Sequence, residues 1–283
     1  MTKKYKENNL LYFGAGFFFC TTILYIITNI YFEDKIKGLS RLNFNIDFSS
    51  LIFLSLFIAP IVEEFIFRSI FLNKKLYQYF FFIGSSIYAL TTDNFYLLII
   101  IAAYFIIYNK NKKTSILFYF SASIFTLVHY QLSDFTSIFT VVPMFLQFSL
   151  GLILIWVVIN FGLMKTILLH FLYNFIIILP LVVALQFPDK KENIVKYGDT
   201  VLLWNKTEYF GKTRINVSKE KIEIQRSSIK DFYGIYGNKE NLMIDDTLKV
   251  YRYNFKVINK NNEKIDSSKI KKLLFNAKLI KKT

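Results

Sequence analysis

The chain has 283 residues, 54% hydrophobic and 19% aromatic, and both classes fall in long runs rather than in the short periodic stretches of a water-soluble domain. It carries a net charge of +15, and its one cysteine, Cys20, lies inside an apolar run. An intramolecular disulfide framework, a cysteine-based zinc site and a CxxC redox pair are thereby excluded.

A membrane span needs about 20 apolar residues. In chain order the candidates are 10–32, 48–72, 77–92, 94–108, 114–130, 136–161 and 166–187. The first follows Lys3, Lys4 and Lys6 as a signal peptide would. It is too long for an h-region and lacks a small-residue cleavage site, so it reads as a retained helix. The third and fourth are short and are joined by the turn Thr91-Thr92-Asp93-Asn94, which reads as a tilted or incompletely spanning hairpin.

Loop lysines fall on alternate loops: Lys3, Lys4 and Lys6, then Lys74 and Lys75, then Lys110, Lys112 and Lys113, then Lys165. The opposite loops hold Lys35, Lys37 and Arg41 together with Glu33, Asp34, Asp47, Asp93 and Asp134. The positive-inside rule then makes the N-terminus cytoplasmic, and seven spans export the tail.

From about Asp189 the composition changes to that of a soluble module. Segments 214–224 and 248–258 read as strands, with Tyr251, Tyr253, Phe255 and Val257 alternating on one face of the second. Segments 228–236 and 267–280 read as helices, the latter opening on Ser267 and Ser268 as N-cap residues. The segment through Pro188 holds 13 Lys and Arg against 8 Asp and Glu, leaving 22 against 12 beyond it, so most of the excess charge sits in the tail. Those lysines are scattered among acids and asparagines, which points to anionic lipid headgroups and not to nucleic acid. The expected fold is an all-α polytopic membrane helix bundle of about seven transmembrane helices over residues 1–188, followed by a small soluble α+β domain over 189–283. The abundance of Lys, Asn, Ile and Phe resembles the coding bias of an AT-rich bacterial genome, and a bacterial cytoplasmic membrane is the expected location.

Ionisable groups inside spans cost several kcal/mol unless paired or hydrated, so each is a functional candidate. In Pro60-Ile-Val-Glu63-Glu64-Phe-Ile-Phe-Arg68, Glu64 and Arg68 stand at i and i+4 and pair on one face. Glu63 is turned about 100° from Glu64 and is free to act as a general base. The bland alternative, a structural ion pair, accounts for Glu64 and Arg68 and leaves Glu63 without a partner.

The chain has two histidines, His129 and His170, and both fall in membrane runs. Asn174 follows His170 by four residues and shares its helix face. Each of these taken alone is explained as well by hydrogen bonding between helices. Together they offer a base and water-holding pair, Glu63 with His129, and two oxyanion donors, His170 with Asn174. A zinc ion on Glu63, His129 and His170 is the rival arrangement, although no HExxH is present. At ~1.5 Å per helical residue, His129 lies about 24 Å from Lys113 but Glu63 only about 16 Å from Lys74, so a simple serpentine sets His129 too deep.

The ordered set Glu63-Glu64-x-x-x-Arg68, Phe125-x-x-x-His129 and His170-x-x-x-Asn174 resembles the CAAX prenyl protease and bacteriocin-processing family. This is the type II CAAX endopeptidase group, also called intramembrane metalloproteases. The resemblance covers about 48–179 and includes the intervening helix with Gln147 and Gly151. It implies an endopeptidase acting on membrane-associated peptide or protein substrates. Glu63 and His129 would act on the water and His170 and Asn174 on the oxyanion, with Glu64, Arg68 and Phe125 in support. An extra hydrophobic hairpin between the first two motifs and the C-terminal module depart from the family pattern. The competing functions are an idle scaffold or immunity protein, a proton-coupled carrier using Glu63, and a haem held between the histidines.

Overall fold

The computed structural model describes residues 8–31, 48–72, 74–110, 115–131, 134–135, 138–218, 221–235, 243–244, 248, 250–259 and 267–281. Lys3, Lys4, Lys6, Glu33, Asp34, Lys35, Lys37, Arg41, Asp47, Lys112 and Lys113, on which the expected orientation rests, lie outside the described residues. The chain divides into two compact units, Met1–Gly38 with Leu51–Phe175, and Leu39–Ser50 with Ile176–Thr283.

The described part of the first unit is helical: α1 (Asn8–Tyr31), the second half of α2 (Phe48–Phe53), a π-helical turn (Leu54–Ile58), α3 (Ala59–Phe67), a 3₁₀ turn (Ser69–Leu72), α4 (Lys75–Thr91), α5 (Tyr96–Lys110), α6 (Ile116–Leu127), α7 (Ile138–Phe161) and the first half of α8 (Leu163–Gln186). Four stretches, Asn8–Thr28, Phe48–Phe67, Thr140–Phe161 and Leu163–Gln186, are long and apolar enough to cross a membrane.

The other three expected spans are shorter as helices. The 15 residues of α5 and the 12 of α6 reach about 22 Å and 18 Å at ~1.5 Å per residue, short of the ~30 Å hydrocarbon core. The apolar run 114–130 misled because its last residues leave the helix: α6 ends at Leu127, and His129 sits in the turn beyond it.

Periodicity explains the packing. Buried Phe81, Ser85 and Ala89 on α4, and Leu97, Ile101, Tyr104 and Tyr108 on α5, recur at three- and four-residue intervals. All of them but Ser85 form one apolar cluster with Phe67, Ile70, Leu117, Ile124, Phe125 and Val128. The opposite faces present Ile83, Ile87, Ile99, Phe105 and Ile106 outward, as a lipid-facing surface would.

Two glycines let backbones approach. A Cβ on Gly14 of α1 would stand 3.2 Å from Ile153, and one on Gly151 of α7 would stand 3.2 Å from the Ala122 Cβ and 3.4 Å from Phe125 of α6. Gly151 therefore sets how near α7 comes to the helix that carries Phe125. Gly151→Val is expected to cost about 1–3 kcal/mol through overpacking. Gly151→Ala should cost less, because alanine's helix propensity, about 1 kcal/mol better than glycine's, offsets part of the crowding. Thermal unfolding of both variants in detergent checks the order.

The second unit ends in a five-stranded antiparallel sheet of order β1-β2-β5-β4-β3, made of β1 (Asn193–Tyr197), β2 (Thr200–Thr207), β3 (Arg214–Val217), β4 (Lys221–Ser227) and β5 (Arg252–Asn259). Helices α9 (Ile229–Gly234) and α10 (Ser267–Asn276) cover one face, where Phe232, Ile270, Leu273 and Leu274 join Leu202, Ile224, Tyr253, Phe255 and Val257 in the core. The expected strand 214–224 is in fact a hairpin, β3 and β4, folded where the Ser218 N–H donates to the Lys221 carbonyl at 2.8 Å. Ser228 caps α9 by accepting from the Asp231 N–H.

Candidate active site

The first motif owes its presentation to Pro60. A π-helical turn runs i to i+5, and the Ala59 N–H accordingly bonds to the Leu54 carbonyl. The next acceptor in that register, the Ser55 carbonyl, would take the N–H of residue 60, which proline lacks. The Asn174 side-chain amide of α8 fills the gap by donating to the Ser55 oxygen at 2.9 Å. The helix then continues as α3 and buries Glu63, Glu64 and, just past its end, Arg68. Ser121 of α6 donates to the Phe67 carbonyl at 3.1 Å and ties the end of α3 to the helix of the second motif.

Glu63 lies between the two histidines. Its Oε1 is 3.5 Å from His129 Nε2 and its Oε2 is 3.8 Å from His170 Nε2. Each imidazole is oriented from its other nitrogen. His129 Nδ1 is 2.8 Å from the Phe125 carbonyl, and His170 Nδ1 is 2.8 Å from Glu64 Oε1. A carbonyl oxygen only accepts, so Nδ1 of His129 carries a proton and Nε2 is the nitrogen turned to Glu63. Glu64 holds the His170 ring from its Nδ1.

Arg68 and Phe125 form the wall behind these groups. The Arg68 Nε is 3.5 Å from Glu64 Oε2, and its guanidinium carbon stacks 3.7 Å over the Phe125 ring. Phe125 also meets the His129 and His170 rings edge to face, at 5.3 Å and 6.0 Å between centroids. Glu64 and Arg68 have no exposed side-chain surface and His170 is 4% exposed, whereas the His129 side chain is 26% exposed. The open side of the cluster is therefore at His129.

Of the residues singled out in the sequence, Glu63, Glu64, Arg68, Phe125, His129 and His170 come together from α3, α6 and α8. Asn174, on the same helix as His170, gives one amide hydrogen to the Ser55 carbonyl. The orphaned carbonyl created by Pro60 is the reason.

Glu63, His129 and His170 are the residues that would hold a zinc ion, with the Glu63 oxygens 3.5 Å and 3.8 Å from the two Nε2 atoms. Among the described residues no group of three or more His, Cys, Asp or Glu that could hold a metal ion is found.

Sequence reasoning missed the neighbours of His129 supplied by the α4–α5 hairpin. The Tyr88 ring lies 6.2 Å from the His129 ring, and Asn94 and Tyr96 contact the turn that carries it. Their only signal was the polar turn Thr91-Thr92-Asp93-Asn94, which marks a reversal without naming what it touches.

In comparison with known proteins, no curated protein and no solved structure matches the chain. The site-bearing stretch of this membrane protein, residues 45–176, which spans all three motifs, is matched by the family model described as Type II CAAX prenyl endopeptidase Rce1-like, a peptidase family.

Proposed function

We propose that the chain is an intramembrane endopeptidase that hydrolyses a peptide bond of a membrane-associated substrate with a water held between Glu63 and His129. The observation that carries this reading is the placement of Glu63 between two Nε2 atoms, at 3.5 Å and 3.8 Å, with both Nδ1 atoms anchored at 2.8 Å. At 3.5 Å, Glu63 Oε1 and His129 Nε2 form a long polar contact, and a water beside the pair can reach both atoms.

Glu63 takes a proton as the water oxygen attacks the scissile carbonyl carbon. His170, held at Nδ1 by Glu64, is one donor to the oxyanion in this reading. The second amide hydrogen of Asn174 is the other donor in this reading. Collapse of the tetrahedral intermediate expels the amine, which takes back the proton held by Glu63.

The short helices α4, α5 and α6 are read as embedded beside the four long ones, which restores seven membrane segments. The alternating loop lysines then set the N-terminus on the cytoplasmic side of a bacterial membrane and the soluble domain outside. An idle scaffold or a proton-coupled carrier gives no task to two oriented histidines around one carboxylate.

The test uses the full-length protein in detergent and two peptide pools of equal sequence. One ends in an S-farnesylated Cys-aliphatic-aliphatic-X motif and the other is unprenylated. Wild type is expected to cleave at least one pool, His129→Ala to lose on the order of 10²-fold in kcat, and a zinc chelator to leave the wild-type rate unchanged. Turnover by His129→Ala at the wild-type rate overturns the water-holding role, and loss of activity on chelation overturns the metal-free chemistry.

A further inference from the structure

The turn carrying His129 has no regular secondary structure of its own. The last carbonyls of a helix lack intrahelical partners, and α6 ends two residues before the histidine. Within the turn the Val128, His129 and Tyr130 N–H groups bond back to Ile124, Thr126 and Leu127 at 3.0–3.1 Å. The carbonyls on either side of His129 are held from outside. Tyr96, the first residue of α5, shares its hydroxyl proton between the Tyr130 carbonyl at 2.8 Å and the Leu127 carbonyl at 3.1 Å. Asn94, buried in the α4–α5 turn, donates to the Val128 carbonyl at 3.3 Å.

The clamp is itself pre-set. The Asn94 backbone N–H bonds to the Ala89 carbonyl at 2.8 Å, and Thr92 bonds through its hydroxyl to Tyr88 at 2.8 Å. Asp93 takes the left-handed conformation (φ 57°) that closes the hairpin. The Asn94 amide gives its other contact to the Thr92 hydroxyl at 3.2 Å. The hairpin thus offers three side-chain contacts to carbonyls at 127, 128 and 130, and the residue left between them is His129.

From this arrangement we infer that Asn94 and Tyr96 are positioning residues that set the register of His129 against Glu63, which makes the α4–α5 hairpin a working part of the active site. The inference rests on the proposed peptidase reading. The His129 ring is tethered to Phe125 within the same turn, so a shift of the turn backbone is passed to Nε2 and changes its 3.5 Å separation from Glu63. His170 is held by Glu64 on other elements and does not feel the shift.

The test compares wild type with Tyr96→Phe, which deletes only a hydroxyl, and with Asn94→Ala, in full-length protein. Cleavage of the two peptide pools is expected to fall about 10-fold to 100-fold in kcat with little change in KM, as for a misplaced catalytic group. The second readout does not depend on cleavage. The protein is labelled with heavy nitrogen at histidine, and since it has only two histidines, His129→Ala and His170→Ala assign both imidazoles. The clamp predicts that the His129 ring signals move in Tyr96→Phe and Asn94→Ala while those of His170 stay. Unmoved His129 signals overturn the inference, as do His129 and His170 moving together with a lowered melting temperature, the mark of general loosening. If Glu63→Ala cleaves normally, the peptidase reading fails, and the imidazole spectrum alone then decides the clamp.

Discussion

Replacing Glu63 with alanine is expected to abolish cleavage, with a loss on the order of 10² or more in kcat from removal of the general base. Glu63→Gln is the sharper variant. It keeps the shape of the side chain between His129 and His170 but presents an amide where the carboxylate must accept a proton. A base role predicts that both variants fail alike. A merely structural role predicts that glutamine restores most of the rate, since it fills the same space between the two rings. The deciding measurement is single-turnover cleavage of the farnesylated and unprenylated pools, with the melting temperature of each variant confirming that the fold survives. Near-wild-type turnover in Glu63→Gln removes Glu63 from the chemistry.

Arg68→Ala is expected to be the most damaging change to stability, about 3–5 kcal/mol, the usual result of breaking a buried ion pair from one side. Two effects add. Glu64 loses its cationic neighbour in a site without exposure, and the Phe125 face loses the guanidinium stacked 3.7 Å above it. The Arg68 nitrogens have no hydrogen-bond partner among the described residues, so the pair is not optimal as an ion pair. Removing both charges is therefore expected to recover much of what removing one loses. Glu64→Gln combined with Arg68→Met should melt nearer to wild type than Arg68→Ala, yet remain impaired in cleavage, because Glu64 orients His170 at 2.8 Å. Thermal unfolding and peptide cleavage on the same preparations separate these outcomes. A double variant no more stable than Arg68→Ala contradicts the uncompensated-charge explanation.

The parts of the site that were legible in the sequence follow from short-range geometry. Glu64 and Arg68 pair because i and i+4 share a face, and Glu63 turns away because one helical step is about 100°. The rarity of histidine, two in the chain and both in apolar runs, marked His129 and His170. In the tail, alternation along Tyr253, Phe255 and Val257 revealed β5, and Ser267 marked the start of α10. The unread parts depend on long-range contacts. Nothing local says that Asn94 will meet Val128, 34 positions on, or that Tyr96 will meet Tyr130. Strand β2 was hidden because Val201, Leu202, Leu203 and Trp204 form a continuous apolar run, which has no period by which to tell strand from helix. The end of α6 was hidden because Val128 is as apolar as the helix it follows.

The π-helical turn at Leu54–Ile58 also has a consequence for helix phase. A wide turn accommodates about one residue more than an α-turn does, so each side chain after it is rotated by about 100° relative to an unbroken helix. The outward-facing Phe53 upstream and the inward-facing Glu63 and Glu64 downstream therefore belong to one rod with an angular offset built into it. Spacing along the linear sequence understates that offset. The acidic pair faces inward because of a surplus residue near Ser55, and the Asn174 amide acts as the pin that keeps this offset from relaxing back into an ordinary helix.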